Sequence, residues 1–115
     1  MLEIGSHVGI ADGVILYNMA NIKIGSYVVI SQGAHLCAGS HDIHSRNFQL
    51  VTRPITVGDH AWICAEAFLM PGAVVPEGAV VGARAVVSRP LEEQWAVYAG
   101  MPARRINLRV RRGAE

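Results

Sequence analysis

The sequence predicts an all-β fold, a three-sided parallel β-helix of about four turns, and three observations predict it. Branched aliphatic residues recur every six positions along most of the chain. The residue four places after each of them is no larger than valine until the last repeat. The chain is 51% hydrophobic but only 6% aromatic and carries 12 glycines, a composition suited to strands stacked closely and turned often. A period of six is neither an amphipathic helix, whose apolar residues recur every three or four places, nor a strand alternating every two. Strand-like residues with a corner every six form a hexapeptide β-helix. One residue of each repeat then points inward, and eighteen residues complete a turn.

The elements follow in order. Ile4, Ile10 and Leu16 open the repeat, with Val8, Val14 and Ala20 four places on. Ile24, Ile30 and Leu36 continue it, with Val28, Ala34 and Ser40. Val57, Ile63, Leu69, Val75, Val81 and Val87 complete it, followed by Ala61, Ala67, Ala73, Ala79, Ala85 and finally the larger Leu91, where the repeat is expected to end. One domain, 1–115, therefore holds coils over about 4–91 and a C-terminal segment over about 92–115. Two interruptions break the rhythm. The spacing from Leu16 to Ile24 is eight, which adds two residues around Asn18 to Asn21. The spacing from Leu36 to Val57 is 21, three more than a turn, and its polar stretch predicts a loop over about 42–54 that leaves the prism. A loop of that length in so compact a fold points to function.

Four turns at the ~4.8 Å spacing of neighbouring strands make a stack only about 20 Å tall. Such a stack leaves strand edges open at both ends, and a homo-oligomer, best a trimer for a three-sided prism, is expected. The formal charge of +1 argues against a polyanion-binding protein as a whole and against nucleic acid as a partner. Five of the ten basic residues nevertheless fall between Arg104 and Arg112. Cys37 and Cys64 share one slot of the repeat, so reduced thiols rather than a disulfide framework are expected. No leader and no apolar run of roughly 18 residues is evident, so no membrane span and a cytoplasmic location are expected.

Among the five histidines, His7, His35 and His60 fall at turn-side positions. His41 is the last residue before the chain leaves the coil, held by scaffold on one side and facing a groove under the loop on the other. An imidazole, ordinarily near pKa 6.5, suits proton transfer at neutral pH. His41 and His44 are also a conceivable metal pair, but the spacing fixes no geometry and no third ligand is near, so no metal is expected. Any phosphate-bearing ligand would be held by backbone amides and by Arg89, Arg104 and Arg105.

The hexapeptide run, "ISQGAHLCAGSHD", "PITVGDHAWI" and "VVGARAVVSRP…VYAGMPARRI" together resemble the hexapeptide-repeat acyltransferases that use acetyl-CoA. The nearest branch is the colanic-acid-type exopolysaccharide O-acetyltransferases, with galactoside and maltose O-acetyltransferases more distant. The resemblance runs from about Ile4 to Ile106 and implies a left-handed coil, a sense the period alone does not give. It implies acetyl-CoA as co-substrate, a sugar or nucleotide-sugar acceptor, a homotrimer and a role in polysaccharide biosynthesis. It places His41 on the general base. Trp62 and Ala65 fall beside the thioester and pantetheine, with the Ala65 N–H a candidate oxyanion donor. Ala83, Ser88 and Arg89 match cofactor contacts of the last turns, and Met101 and Arg104 match contacts at the nucleotide end. Asn18 is a candidate acceptor contact. Asp42 either orients His41 or touches the sugar, and Phe48, Leu50 and Arg53 are candidates for the pocket wall. Relatives carry more sequence before the first coil, in a part that shapes the acceptor site.

Two other readings are open at this point. A zinc carbonic anhydrase-like trimer would recruit His35 and His41 with His60 or His7, and elemental analysis would show stoichiometric zinc. A non-catalytic assembly module would bind CoA weakly or not at all, which calorimetry would show.

Overall fold

A computed structural model describes residues 1–112; the last three positions of the expected C-terminal segment, 113–115, lie outside the described residues. The chain climbs a prism of three faces. The first turn is β1 (Leu2–Ile4), β2 (Gly9–Ile10) and β3 (Ile15–Tyr17), and the second is β4 (Ile22–Ile24), β5 (Val29–Ile30) and β6 (His35–Cys37). After an excursion through β7 (Gly39–His41) and β8 (Leu50–Thr52), the third turn is β9 (Ile55–Val57), β10 (Trp62–Ile63) and β11 (Phe68–Leu69). The fourth is β12 (Val74–Val75), β13 (Val80–Val81) and β14 (Val86–Val87), and β15 (Ala96–Ala99) and β16 (Arg104–Leu108) follow. The first face is β1-β4-β9-β12, the second β2-β5-β10-β13-β15-β16 and the third β3-β6-β11-β14. Every rung from one turn to the next is parallel. Among the described residues no helix is long and apolar enough to cross a membrane.

The period of six produces this register directly. Ile4, Ile24, Val57 and Val75 stack on the first face, Ile10, Ile30, Ile63 and Val81 on the second, and Leu16, Leu36, Leu69 and Val87 on the third. From the second turn upward these aliphatics are sealed, as are Val28, Ala34, Ala61, Ala67, Ala73, Ala79 and Ala85. The residue four places on is therefore a second inward-pointing position, small because the narrow prism has room for little more; Ser40, which leaves the coil in β7, is exposed instead. The first turn differs: Ile4 is 44% exposed and Ile10 42% exposed, since among the described residues no further layer covers them.

Two expectations change in detail. The 42–54 insertion is not an open loop at its base, because β7 and β8 pair antiparallel, with Gly39 opposite Thr52 and His41 opposite Leu50. The C-terminal segment is likewise more than an extension. β15 adds a fifth parallel rung on β13, setting Tyr98 on Val81, and β16 folds back antiparallel along it.

Nine of the corners are turned by a residue three places after the inward aliphatic; the corner between the third and first faces follows this rule only after Leu69. His7, Tyr27, His60, Gly13, Gly33, Glu66, Gly72, Gly78 and Arg84 all have φ between 57° and 85°. A side chain in that left-handed region costs roughly 1–2 kcal/mol, and ladder bonds offset it. The N–H of Tyr27, His60 and Gly78 each donate to the turn below, at 2.9 Å to Ser6, 3.0 Å to Ser26 and 2.8 Å to Asp59.

Candidate active site

The corner between the third and first faces carries the interruptions. In the first turn it holds the two added residues; in the second it opens into the β7–β8 hairpin. The layers are tied together, as the Ala38 N–H donates to the Tyr17 carbonyl at 3.0 Å and the Arg53 N–H to that of Ala38 at 3.1 Å. Gly39 lies so close to the lower layer that a Cβ on it would come 3.1 Å from both Tyr17 and Met19 side chains. Asn18, between those two residues, thus sits under the start of the strand that carries His41.

His41 ends β7. Its Nδ1 lies 2.9 Å from the Phe48 carbonyl oxygen. A carbonyl can only accept, so Nδ1 carries a proton and Nε2 of the neutral ring keeps its lone pair. The Phe48 ring stacks on the same imidazole, with centroids 4.3 Å apart and planes 11° from parallel. Phe48 achieves both contacts from a left-handed backbone, φ 49°. A tight turn supports it: the Phe48 N–H donates to Ser45 O at 3.1 Å and the Asp42 N–H to Gln49 O at 2.9 Å. The Asp42 carboxylate does not meet His41 in this arrangement; it accepts the His44 N–H at 3.0 Å. Leu50 faces His41 across the hairpin, and the Arg53 side chain passes over Gly72.

The other candidates are spread over the upper turns. Trp62 stands on the outer side of the second face, with Nε1 donating to Ser31 Oγ at 2.9 Å. Ala65 and Ala83 occupy one corner, between the second and third faces, a turn apart. Ala65 uses its carbonyl, which accepts the Arg84 N–H at 3.0 Å. No hydrogen bond from the N–H of either alanine is found among the described residues. Beside them Glu66 accepts from Arg84 Nε at 2.7 Å, a bond that raises the guanidinium's pKa further. Ser88 and Arg89 lie on the His41 corner two turns above it. Arg89 and Arg104 meet in a groove of about 410 Å³ whose floor includes Leu91, Tyr98 and Ala103. Met101 stands exposed just before that groove's far wall.

Arranged by position, His41, Asp42 and Asn18 share one corner, Ala65 and Ala83 share the next, and the third face separates the two sets within one chain. His35 sits on that face rather than in a turn; its ring tilts against Phe68 at 4.7 Å, and its Nε2 is buried without a partner. Among the described residues no group of three or more His, Cys, Asp or Glu is placed to hold a metal. Burial pushes the Cys64 thiol up, which keeps it protonated and unreactive. Sequence reasoning did not find the grip of Phe48 on His41. Its signal is faint, an aromatic seven residues after the histidine within a polar turn.

With this geometry in place, the chain can be set beside known proteins. No family model matches it. It is 39% identical over 109 residues to the "Putative colanic acid biosynthesis acetyltransferase WcaF" of Escherichia coli K12, covering 95% of this chain and 59% of that protein. It is 30% identical over 86 residues to the galactoside O-acetyltransferase of Escherichia coli K12, covering 72% of this chain and 42% of that protein. The crystal structure of a maltose O-acetyltransferase from Clostridium difficile 630 superposes with a TM-score of 0.88 at 22% identity, over 96% of this chain and 60% of that one. The chain carries the left-handed β-helix of the hexapeptide-repeat acetyltransferases. It spans about 59% of the WcaF relative's length, so the likeness to that relative covers the coil domain and not the whole of that protein.

Proposed function

We propose that this hexapeptide-repeat domain acts as an acetyl-CoA-dependent O-acetyltransferase on a hydroxyl of a sugar or nucleotide-sugar acceptor, with His41 as general base. The observation that carries the reading is the Nδ1 contact with the Phe48 carbonyl. It presents Nε2 as the acceptor of a proton and fixes the ring's direction, the two requirements for a base. The acetyltransferase names of the WcaF and galactoside relatives support the reaction class and a carbohydrate acceptor.

Sugar hydroxyls are weak nucleophiles, so proton removal accompanies attack. The acceptor oxygen adds to the thioester carbonyl carbon as its proton passes to His41 Nε2. The resulting oxyanion is met by a backbone N–H, for which Ala65 is the candidate and Ala83 repeats the geometry one turn higher. Collapse breaks the C–S bond, and the CoA sulfur leaves with the proton that Nε2 held. No covalent acyl-enzyme is needed. Trp62 would flank the pantetheine, while Ser88, Arg89, Met101 and Arg104 would hold the nucleotide end, with guanidinium forks for its phosphates. Asn18 would contact the acceptor, and Asp42 would shape the turn beside it. Because His41 and Ala65 lie on different corners, the complete site is assembled between adjacent copies of a homotrimer. Outward apolar side chains such as Ile15, Val29 and Trp62, each at least 43% exposed, give those copies something to bury. A pathway drawing on acetyl-CoA fits a cytoplasmic protein.

An acetyl-CoA consumption screen against sugars and nucleotide sugars tests the reading. His41→Ala is expected to lower turnover roughly 10²–10⁴-fold while CoA still binds in calorimetry. Wild-type turnover in that variant would remove His41 from its role.

A further inference from the structure

The corner between the first and second faces carries a feature that the transferase reading does not use. His7, Tyr27, His60 and Trp95 take left-handed conformations there, with φ of 57°, 61°, 63° and 54°. Their rings form a column. His7 and Tyr27 stack at 4.9 Å with planes 2° apart, Tyr27 and His60 at 5.2 Å and 7°. His60 then meets Trp95 at 5.9 Å. Gly78 occupies the rung between them, and the Trp95 indole lies across the space its side chain would fill.

The chain returns to this column after β16. The Arg109 N–H donates to the Trp95 carbonyl at 2.8 Å. Its guanidinium Nη1 donates to His60 O at 2.8 Å and Gly78 O at 3.0 Å, and its Cζ lies 5.4 Å from the indole centroid. The Arg111 guanidinium lies 4.0 Å over the same indole. With Arg112, Tyr27 and His60, these residues line a groove of about 310 Å³. Among the described residues no carboxylate lines it. The ion pairs found among the described residues, Glu66 with Arg84 and Glu93 with Arg105, use none of its three arginines. Asp59 and Glu77 share the corner, but Asp59 Oδ1 accepts the Ser26 N–H at 2.8 Å, and neither carboxylate reaches ion-pair distance of a guanidinium.

Two guanidiniums gathered on one indole repel each other, and an anion between them would relieve the repulsion. Guanidinium forks match phosphate oxygens in pairs. We propose that this groove binds a ligand bearing adjacent phosphoryl groups, held by Arg111 and Arg112 with Arg109 as a fixed cation behind them. Three cations suit a diphosphate better than a single carboxylate, which would leave most of the charge unanswered. The site is separate from the Arg89–Arg104 groove. The two share no lining residue and lie at opposite ends of the β15–β16 pair, where Arg104 faces Ala99 and Leu108 faces Ala96.

Calorimetry of the full chain with inorganic pyrophosphate at low salt, with indole emission as a second readout, tests the proposal. Saturable binding is expected, with a change in indole emission that reports this groove and one site per chain remaining in Arg104→Gln. The double variant Arg111→Gln/Arg112→Gln should bind at least about tenfold more weakly with an unchanged melting temperature. Arg104→Gln should leave this binding in place, which separates the site from the proposed nucleotide end of the CoA site. A nucleoside diphosphate that binds more tightly than pyrophosphate identifies a nucleotide ligand; equal affinity identifies the phosphoryl pair alone. Absence of saturable pyrophosphate binding, equal binding by the double variant, or loss of binding in Arg104→Gln would overturn the proposal.

Discussion

Replacing Phe48 by Leu keeps the carbonyl that meets His41 Nδ1 but removes the ring stacked on the imidazole. Stacked aromatic pairs contribute about 0.5–1.5 kcal/mol beyond their burial, so kcat should fall between about twofold and tenfold. The KM for acetyl-CoA should stay unchanged, since Phe48 holds the base and is not among the residues proposed to hold the cofactor. Steady-state kinetics check both; an unchanged kcat would show that the carbonyl alone positions the base. A second residue-scale prediction concerns Cys64. Its thiol is raised above the ordinary value of 9.0 by burial, so the folded protein holds that proton more tightly than the unfolded chain. The stabilising difference is full below pH 9 and is lost as pH rises beyond it. Iodoacetamide at pH 8 should therefore leave Cys64 unmodified in the native protein and label it in urea, as peptide mass analysis would show. At this scale the sequence told part of the story. His41 was legible as the last residue before the break, because position in a repeat is written in the spacing. Its partner was not, since a main-chain carbonyl has no letter of its own and the left-handed φ of Phe48 belongs to a residue type that rarely takes it.

At the scale of elements, the column at the first corner depends on one missing side chain. Gly78 combines φ 67° with an indole lying where a Cβ would go. Gly78→Ala should cost about 1–3 kcal/mol and lower the melting temperature by several degrees; differential scanning calorimetry would check it. Ala83→Gly, at an exposed corner, serves as the comparison and should shift the melting temperature far less. The twelve inward aliphatics were plain in the sequence because the period of six repeats the same physical demand, an apolar side chain facing a narrow interior. The hairpin was not plain. Its paired strands are three residues each, too short for an alternating pattern to stand out, and the turn between them is polar throughout. The aromatic column is not legible in the sequence either. Its rings come from residues 18 or more positions apart, and only the three-dimensional turn brings them into line.

At the scale of the molecule, the prism is short, its first layer is open and its outer faces carry apolar side chains. Sedimentation at micromolar concentration should show a trimer; a stable monomer would count against the assembled site. Fold class and the number of turns could be read from spacing alone, whereas the division of candidate residues between two corners could not. That division depends on which side of the third face each residue falls, a matter of geometry rather than of order along the chain.

The width of that third face has a genetic consequence. Each catalytic centre of the proposed trimer draws its base from one copy and its acyl-carrier corner from the next. Two defective chains, His41→Ala and an Ala83→Trp variant whose corner is blocked, should then rescue each other when refolded together. Random mixing pairs a sound base with a sound corner at about one centre in four, so the mixture should far exceed the residual activity of either preparation alone.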